Sequence, residues 1–184
     1  AVDGVKSLLG YTYEGLNPDA WLHCTRVENR RIVMADGRSY GALVVPGRHS
    51  MQPDPGYMSE AVAARLREML SAGVPVLIGD IPKQSLGMKS QGNDFAWPDL
   101  AAFIRLPYTE NTCDSIGMRR DLIVTEGSDD YASGVNYIHR RSADVDIYFI
   151  ANQSDRVRDL DVSMRVCGRI PELWYPADGR IETR

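Results

Sequence analysis

Residues Tyr137–Gln153 read YIHRRSADVDIYFIANQ, and the organisation of the chain can be worked outward from them. Tyr137, His139 and Arg141 alternate with Ile138 and Arg140. After Ser142–Asp144, Val145, Ile147, Phe149 and Ala151 alternate with Asp146, Tyr148 and Ile150. A period of two on both sides of a short polar break is the pattern of two antiparallel strands joined by a tight turn. The same grammar continues downstream. Leu160, Val162, Met164 and Val166 share one face, Leu173–Tyr175 is a short strand, and Pro176–Gly179 (PADG) turns the chain into Arg180–Thr183. Strands at this spacing predict an antiparallel β region over residues 129–184, a sandwich or an added sheet, with a truncated sandwich favoured.

Upstream, over residues 1–128, helices and strands alternate. Tyr11–Glu14 is a strand candidate, and Asn17-Pro18 starts a short helix that buries Trp21 and Leu22. Arg31–Met34 is a strand followed by an Asp36-Gly37 turn. Ala42–Val45 and Val74–Ile78 are compact apolar runs, as expected of strands buried on both faces of a parallel sheet. Between them Met58–Ala72 is the clearest helix, capped by Ser59, stopped by Gly73, with Val62, Leu66, Met69 and Leu70 as its apolar stripe. Strand, helix and strand make a right-handed βαβ unit. Trp97-Pro98 is expected to open another helix with Leu100, Phe103 and Ile104 inward. Asp121–Val124 reads as a further sheet strand, and Pro82–Phe95 as a polar loop. The fold class is α/β, a flavodoxin-like parallel sheet with helices, followed by antiparallel strands.

Composition narrows the function. With 184 residues, 43% of them hydrophobic, the chain can bury a real core. A net charge of −4 with scattered arginines argues against a nucleic-acid surface, which needs clustered cations. No apolar run approaches the about 18 to 20 residues of a membrane span. No charged-then-apolar leader opens the sequence, so a signal peptide would have been removed or lain upstream. Cys24, Cys113 and Cys167 are far apart and form no CxxC, so buried free thiols are expected rather than a disulfide framework or zinc cluster.

Two strand ends offer places for a ligand: Pro46–Ser50 and Gly79–Pro82. Neither has the GxCxG or GxSxG form that holds a nucleophile on a strained turn, and no GxGxxG or GxxxxGK[ST] occurs. His23, His49 and His139 lack metal-ligand spacing. His139 is expected to be a structural or surface residue, and Asp129-Asp130, Asp144 and Asp146 turn residues, so no metal site is assigned. Glycoside hydrolysis needs two carboxyl groups about 5 to 9 Å apart. Glu14, Asp80, Asp94, Asp99, Glu110, Asp114 and Glu126 supply acids without singling out a pair. Glu14 and Asp80 stand out only because both follow predicted strands. Trp97 and Trp174 could stack on a sugar ring, but the packing role is favoured for both. Asp80 and Trp97 are kept as ligand-binding candidates, and no catalytic residue is assigned.

Four segments in order resemble one family. YTYEGLNPDAWL (Tyr11–Leu22) and DGRSYGALVVPGRHSM (Asp36–Met51) are similar to segments of large α-L-rhamnosidase-type proteins of glycoside hydrolase family 106. YIHRRSADVDIYFIANQ and VCGRIPELWYPADGRI (Val166–Ile181) then follow in that family's order. Tyr175 departs from the aspartate usual at that position, and Lys83–Glu126 matches poorly. The resemblance implies a degenerate class I glutamine amidotransferase-like domain running into a β-sandwich. It also implies a secreted or periplasmic bacterial parent that removes terminal rhamnose from plant polysaccharide by inversion, with calcium assistance. In that family the acid and base belong to an upstream barrel, and no position here matches their motifs. The expected role is therefore a structural accessory domain, without a cofactor of its own, whose partners are the other domains of the parent and, through them, its carbohydrate substrate. An independent carbohydrate-binding module and a small flavodoxin-like hydrolase remain as alternatives.

Overall fold

The structure, a computed structural model, describes residues 8–50, 52–86, 96–97, 100–105, 109–127 and 132–183. Asp94, Asp99, the Asp129-Asp130 pair and residues 87–95 of the polar loop lie outside the described residues. Contacts group the chain into one unit containing Thr12–Arg119 and a second made of Leu9–Tyr11 with Arg120–Arg184.

The first unit begins with helix α1 (Pro18–His23). Asn17 caps it by accepting from the Ala20 N–H, Pro18 sits where a missing N–H costs nothing, and Trp21 is buried. Strands β1 (Thr25–Glu28), β2 (Arg31–Met34) and β3 (Ser39–Tyr40) form an antiparallel meander. Tyr11–Glu14, expected as a strand, is irregular. Its alternation finds no neighbouring strand, and an extended segment without a ladder is not a strand. Strand β4 (Leu43–Val45) leads through β5 (Tyr57–Ser59) into helix α2 (Glu60–Ser71), which Ser59 caps. Ala63, Leu66 and Met69 are its buried residues, while Val62 and Leu70 are half-buried at the edges of the stripe. Full burial of a side chain such as Leu66 or Met69 contributes about 1.5–3 kcal/mol.

Strand β6 (Val76–Ile78) follows, then β7 (Gln84–Leu86), which pairs in parallel with β5. A short 3-10 turn (Leu100–Ala102) enters β8 (Phe103–Arg105). Strands β4, β6 and β8 make a parallel sheet with β6 central. Val76, Leu77 and Ile78 are accordingly buried, whereas β4 at the edge is only half-buried and not covered on both faces. The helix expected after Trp97 is not formed around Phe103 and Ile104. Pairing with β6 draws these residues into a strand, tertiary context overriding a 3–4 spacing. Helix α3 (Glu110–Ser115), capped by Thr109, completes this unit.

In the second unit β9 (Leu122–Thr125) does not join the parallel sheet. It pairs antiparallel with β12 (Asp161–Met164). Strands β10 (Val135–Arg141) and β11 (Asp146–Asn152) form the hairpin expected from the alternation, with Ile138 opposite Phe149 and His139 opposite Tyr148. Ser142 N–H closes the turn on the Val145 carbonyl at 2.9 Å. Strands β13 (Glu172–Trp174) and β14 (Ile181–Thr183) pair across the PADG turn. Leu122, Val124, Ala132 and Val135 form the core, with Tyr137, Tyr148, Ile150 and Leu160 packed against it. Trp174, expected in a core, is 68% exposed because β13 has only β14 beside it among the described residues. At Gly10 the backbone takes φ +82°, and an added Cβ would lie 2.4 Å from the Leu122 carbonyl oxygen, so only glycine fits. Its own carbonyl accepts from the Asp121 N–H at 2.8 Å.

Candidate functional site

Because β4 and β6 run parallel, their carboxyl ends lie side by side, the place where α/β sheets take ligands. Gly47 follows β4 and Asp80 follows β6. Asp80 Oδ2 accepts from the Arg48 backbone N–H at 3.1 Å. A Cβ on Gly47 would sit 2.7 Å from that same oxygen, so the missing side chain is what lets the carboxylate approach. The Gly79 N–H donates to the Val45 carbonyl at 3.0 Å. Asp80 thus ties the two loops together. Glu14 is engaged elsewhere: it accepts from the Arg38 guanidinium, which also donates to Asp36 at 2.7 Å. Burial, then the hydrogen bond to Glu14, push the Tyr40 hydroxyl up to about 12. The two acids singled out from the sequence therefore have separate partners.

Trp97 is held by packing. Its indole N–H donates to the Pro82 carbonyl at 2.8 Å, its ring meets Phe103 edge-to-face at 5.4 Å, and the Arg67 guanidinium lies 5.6 Å from its centroid. Glu110 lies in the first turn of α3, and Asp114 lies on the same helix. Glu126 receives Arg158 at 2.8 Å and Arg156 at 3.0 Å, and the Arg158 hydrogen bond holds its carboxyl below the usual range. The backbone of His49 pairs with that of Gln52, and exposed His23 faces Asp19 at 3.7 Å. Cys24 and Cys167 are exposed and Cys113 is buried, so only one of the three has the burial expected.

Among the described residues, a dense gathering of ionisable groups lies in the second unit and centres on His139. Its Nδ1 is 2.9 Å from Asp121 Oδ2 and its Nε2 is 3.0 Å from Asp146 Oδ1. Asp121 Oδ1 also accepts from the Arg165 guanidinium at 3.1 Å and from the Tyr148 hydroxyl at 3.3 Å. Asp146 Oδ1 takes a 2.6 Å bond from Arg141 Nε, and its Oδ2 faces Arg169 Nε at 3.6 Å. The His139 and Tyr148 rings stack at 4.0 Å. The Arg141 hydrogen bond, then that of His139, hold the Asp146 carboxyl below the ordinary carboxylate range. Burial, then the Asp121 charge, push the Tyr148 hydroxyl up to about 12.

Two carboxylates bracket a position here, as they do in glycosidases, but the imidazole fills the space that water and sugar would need. Each carboxylate oxygen already faces a cation or a donor. The arrangement is suited to bracing strands rather than to moving a proton to a substrate. Of its members, the sequence pointed to His139 as structural or surface and to Asp146 as a turn residue, and it missed Asp121, Arg165 and Arg169 as their partners. The strand register that sets His139 opposite Tyr148 was a usable signal; the Asp121 contact, eighteen residues away, had none. Among the described residues no three or more His, Cys, Asp or Glu gather as a metal-ligand set, and no helix is long and apolar enough to cross a membrane.

Comparison with known proteins adds two findings. The family model described as alpha-L-rhamnosidase, glycoside hydrolase family 106, matches residues 6–184. A protein of Formosa agariphila named "Putative beta-glucuronidase" is 26% identical over 183 residues, which are 95% of this chain. The match spans only 14% of that relative's length.

Proposed function

The chain belongs to the glycoside hydrolase family 106 alpha-L-rhamnosidase family, and from that premise we propose that it is a non-catalytic, structural portion of a larger glycosidase acting on terminal α-L-rhamnose. The observation that carries this reading is the engagement of its best-placed carboxylates, Asp80 by a backbone N–H and Asp121 and Asp146 by His139 and arginines. Each of the three has a partner within the fold, whereas general acid–base work on a glycosidic bond requires two acids facing an open space between them. The 14% coverage of the relative supports placing the acid and base elsewhere in the parent. The parallel β4–β6–β8 sheet supports a degenerate amidotransferase-like ancestry for the first unit. We place the calcium that the family implies, like the catalytic acids, in another part of a secreted or periplasmic parent.

The test is an assay of the full-length parent and of this chain alone on aryl α-L-rhamnoside and aryl β-D-glucuronide. Rhamnoside hydrolysis by the parent and none by the isolated chain is expected. Turnover by the isolated chain would overturn the structural role, and turnover of the glucuronide alone would overturn the rhamnose assignment. Trp174, 68% exposed beside Glu172, favours one second reading, a carbohydrate-binding module. In that case Trp174→Ala would weaken retention of the parent on its polysaccharide without changing turnover of a small aryl glycoside.

A further inference from the structure

The β10–β11 hairpin has two apolar faces, and among the described residues only one is packed against a core. Its inner face places Val135, Tyr137, Tyr148 and Ile150 against Leu122, Val124 and Leu160. On the outer face Ile138 and Phe149 are direct cross-strand neighbours, and Ile147 stands opposite Arg140. These three side chains are 52%, 57% and 59% exposed. A half-solvated antiparallel sheet alternates apolar with polar; one apolar on both sides is the pattern of a sheet with a layer on each face. Contiguous exposed apolar surface of this kind marks an interaction site.

Resting on the reading of this chain as part of a larger glycosidase, we propose that this outer face is an intramolecular docking surface, covered by an apolar segment of the parent polypeptide lying outside residues 1–184. Two further observations select that occupant. The matched region is 14% of the relative's length, so a long polypeptide is available to fold back on it. Among the described residues, each sheet of the second unit has two strands, fewer than the three or more that an independently stable sheet needs. A sugar is a poor fit, because Ile138 and Ile147 offer nothing to ring hydroxyls. A second copy of the chain is an outcome that the experiment separates.

The experiment uses the full-length parent. Hydroxyl-radical footprinting of the wild-type protein compares Ile147 and Phe149 with Leu122, which is fully buried, and with Val157, which is 98% exposed. Loss of reactivity at Ile147 and Phe149 to the level of Leu122 is expected. Reactivity matching Val157 would overturn the proposal. The occupant is then identified by replacing Phe149, and separately Ile138, with the photo-crosslinker p-benzoylphenylalanine. A crosslink to a peptide of the same molecule outside residues 1–184 is expected from at least one position. Crosslinks only within residues 1–184, to a second copy, or to nothing would each overturn it. The result is independent of which glycoside the parent cleaves and of whether the isolated chain turns over, so this proposal and the functional one fail separately.

Discussion

Asp121 Oδ2 and His139 Nδ1 face each other at 2.9 Å, joining the residue before β9 to the middle of β10. The other ring nitrogen of His139 faces Asp146 at 3.0 Å. Both ring nitrogens therefore face carboxylate oxygens, and His139 bridges the loop into β9 and the β10–β11 hairpin.

Removing that bridge leaves two carboxylates with arginines on one side and a void between them. His139→Ala is expected to lower the local stability of residues 135–152, because both carboxylates lose the imidazole that links them. Hydrogen exchange of the hairpin amides in the parent measures it, and unchanged protection would show that the arginines suffice.

Acid should loosen the same hairpin through Asp146, whose side chain is 4% exposed. Its folded pKa lies below the ordinary value of 3.8, so its contribution is fully present above that value and is lost as pH falls through the folded one. Hairpin protection is expected to hold at pH 5 and above and to drop below about pH 4. Asp146→Asn should be weaker at neutral pH and flatter across that window.

Alkali tests Tyr148 and Tyr40, both raised to about 12 from 10.0. A raised tyrosine favours the fold in its neutral form. Its contribution is complete below pH 10 and disappears as pH climbs to 12. Tyrosinate absorbance at high pH should show a late-titrating fraction among the nine tyrosines, and Tyr148→Phe should reduce it.

In the first unit Leu66, 1% exposed, packs with Val76, Ile78 and Phe103. Leu66→Ala should cost about 3 kcal/mol through lost contacts and the cavity left behind, and Val62→Ala, on a half-buried side chain, about 1 kcal/mol. Exchange of the α2 amides reports both, and equal losses would contradict the burial order.

Asp80→Asn keeps an oxygen for the Arg48 N–H and is expected to leave the parent's turnover of aryl rhamnoside unchanged. Gly47→Ala, which forces a methyl against that carboxylate, should disturb the loop more. A large fall in kcat with Asp80→Asn would instead make Asp80 part of the chemistry.

Local patterns carried the hairpin and the caps of α1 and α2, because each is written in contiguous residues, and the strand–helix–strand order carried the parallel β4–β6 pairing. What they did not carry is non-local. Phe103 and Ile104 have helical spacing but lie beside β6, and strand pairing decided their state. Tyr11–Glu14 has strand spacing but no neighbour. Trp174 looks like core in ELWYP, yet burial depends on what covers β13. Asp121, read only as the start of a strand, owes its role to side chains from β10, β11 and beyond β12, and no short window shows that.

Gly10 and Asp121, bonded backbone to backbone, bring together two points separated by the whole of Thr12–Arg119. For a chain emerging from the ribosome, the segment at Gly10 is made well before Asp121, and this backbone bond cannot form until residue 121 has left the exit tunnel. The first unit is then synthesised while that latch hangs open, and a translational pause before Asp121 would prolong that interval.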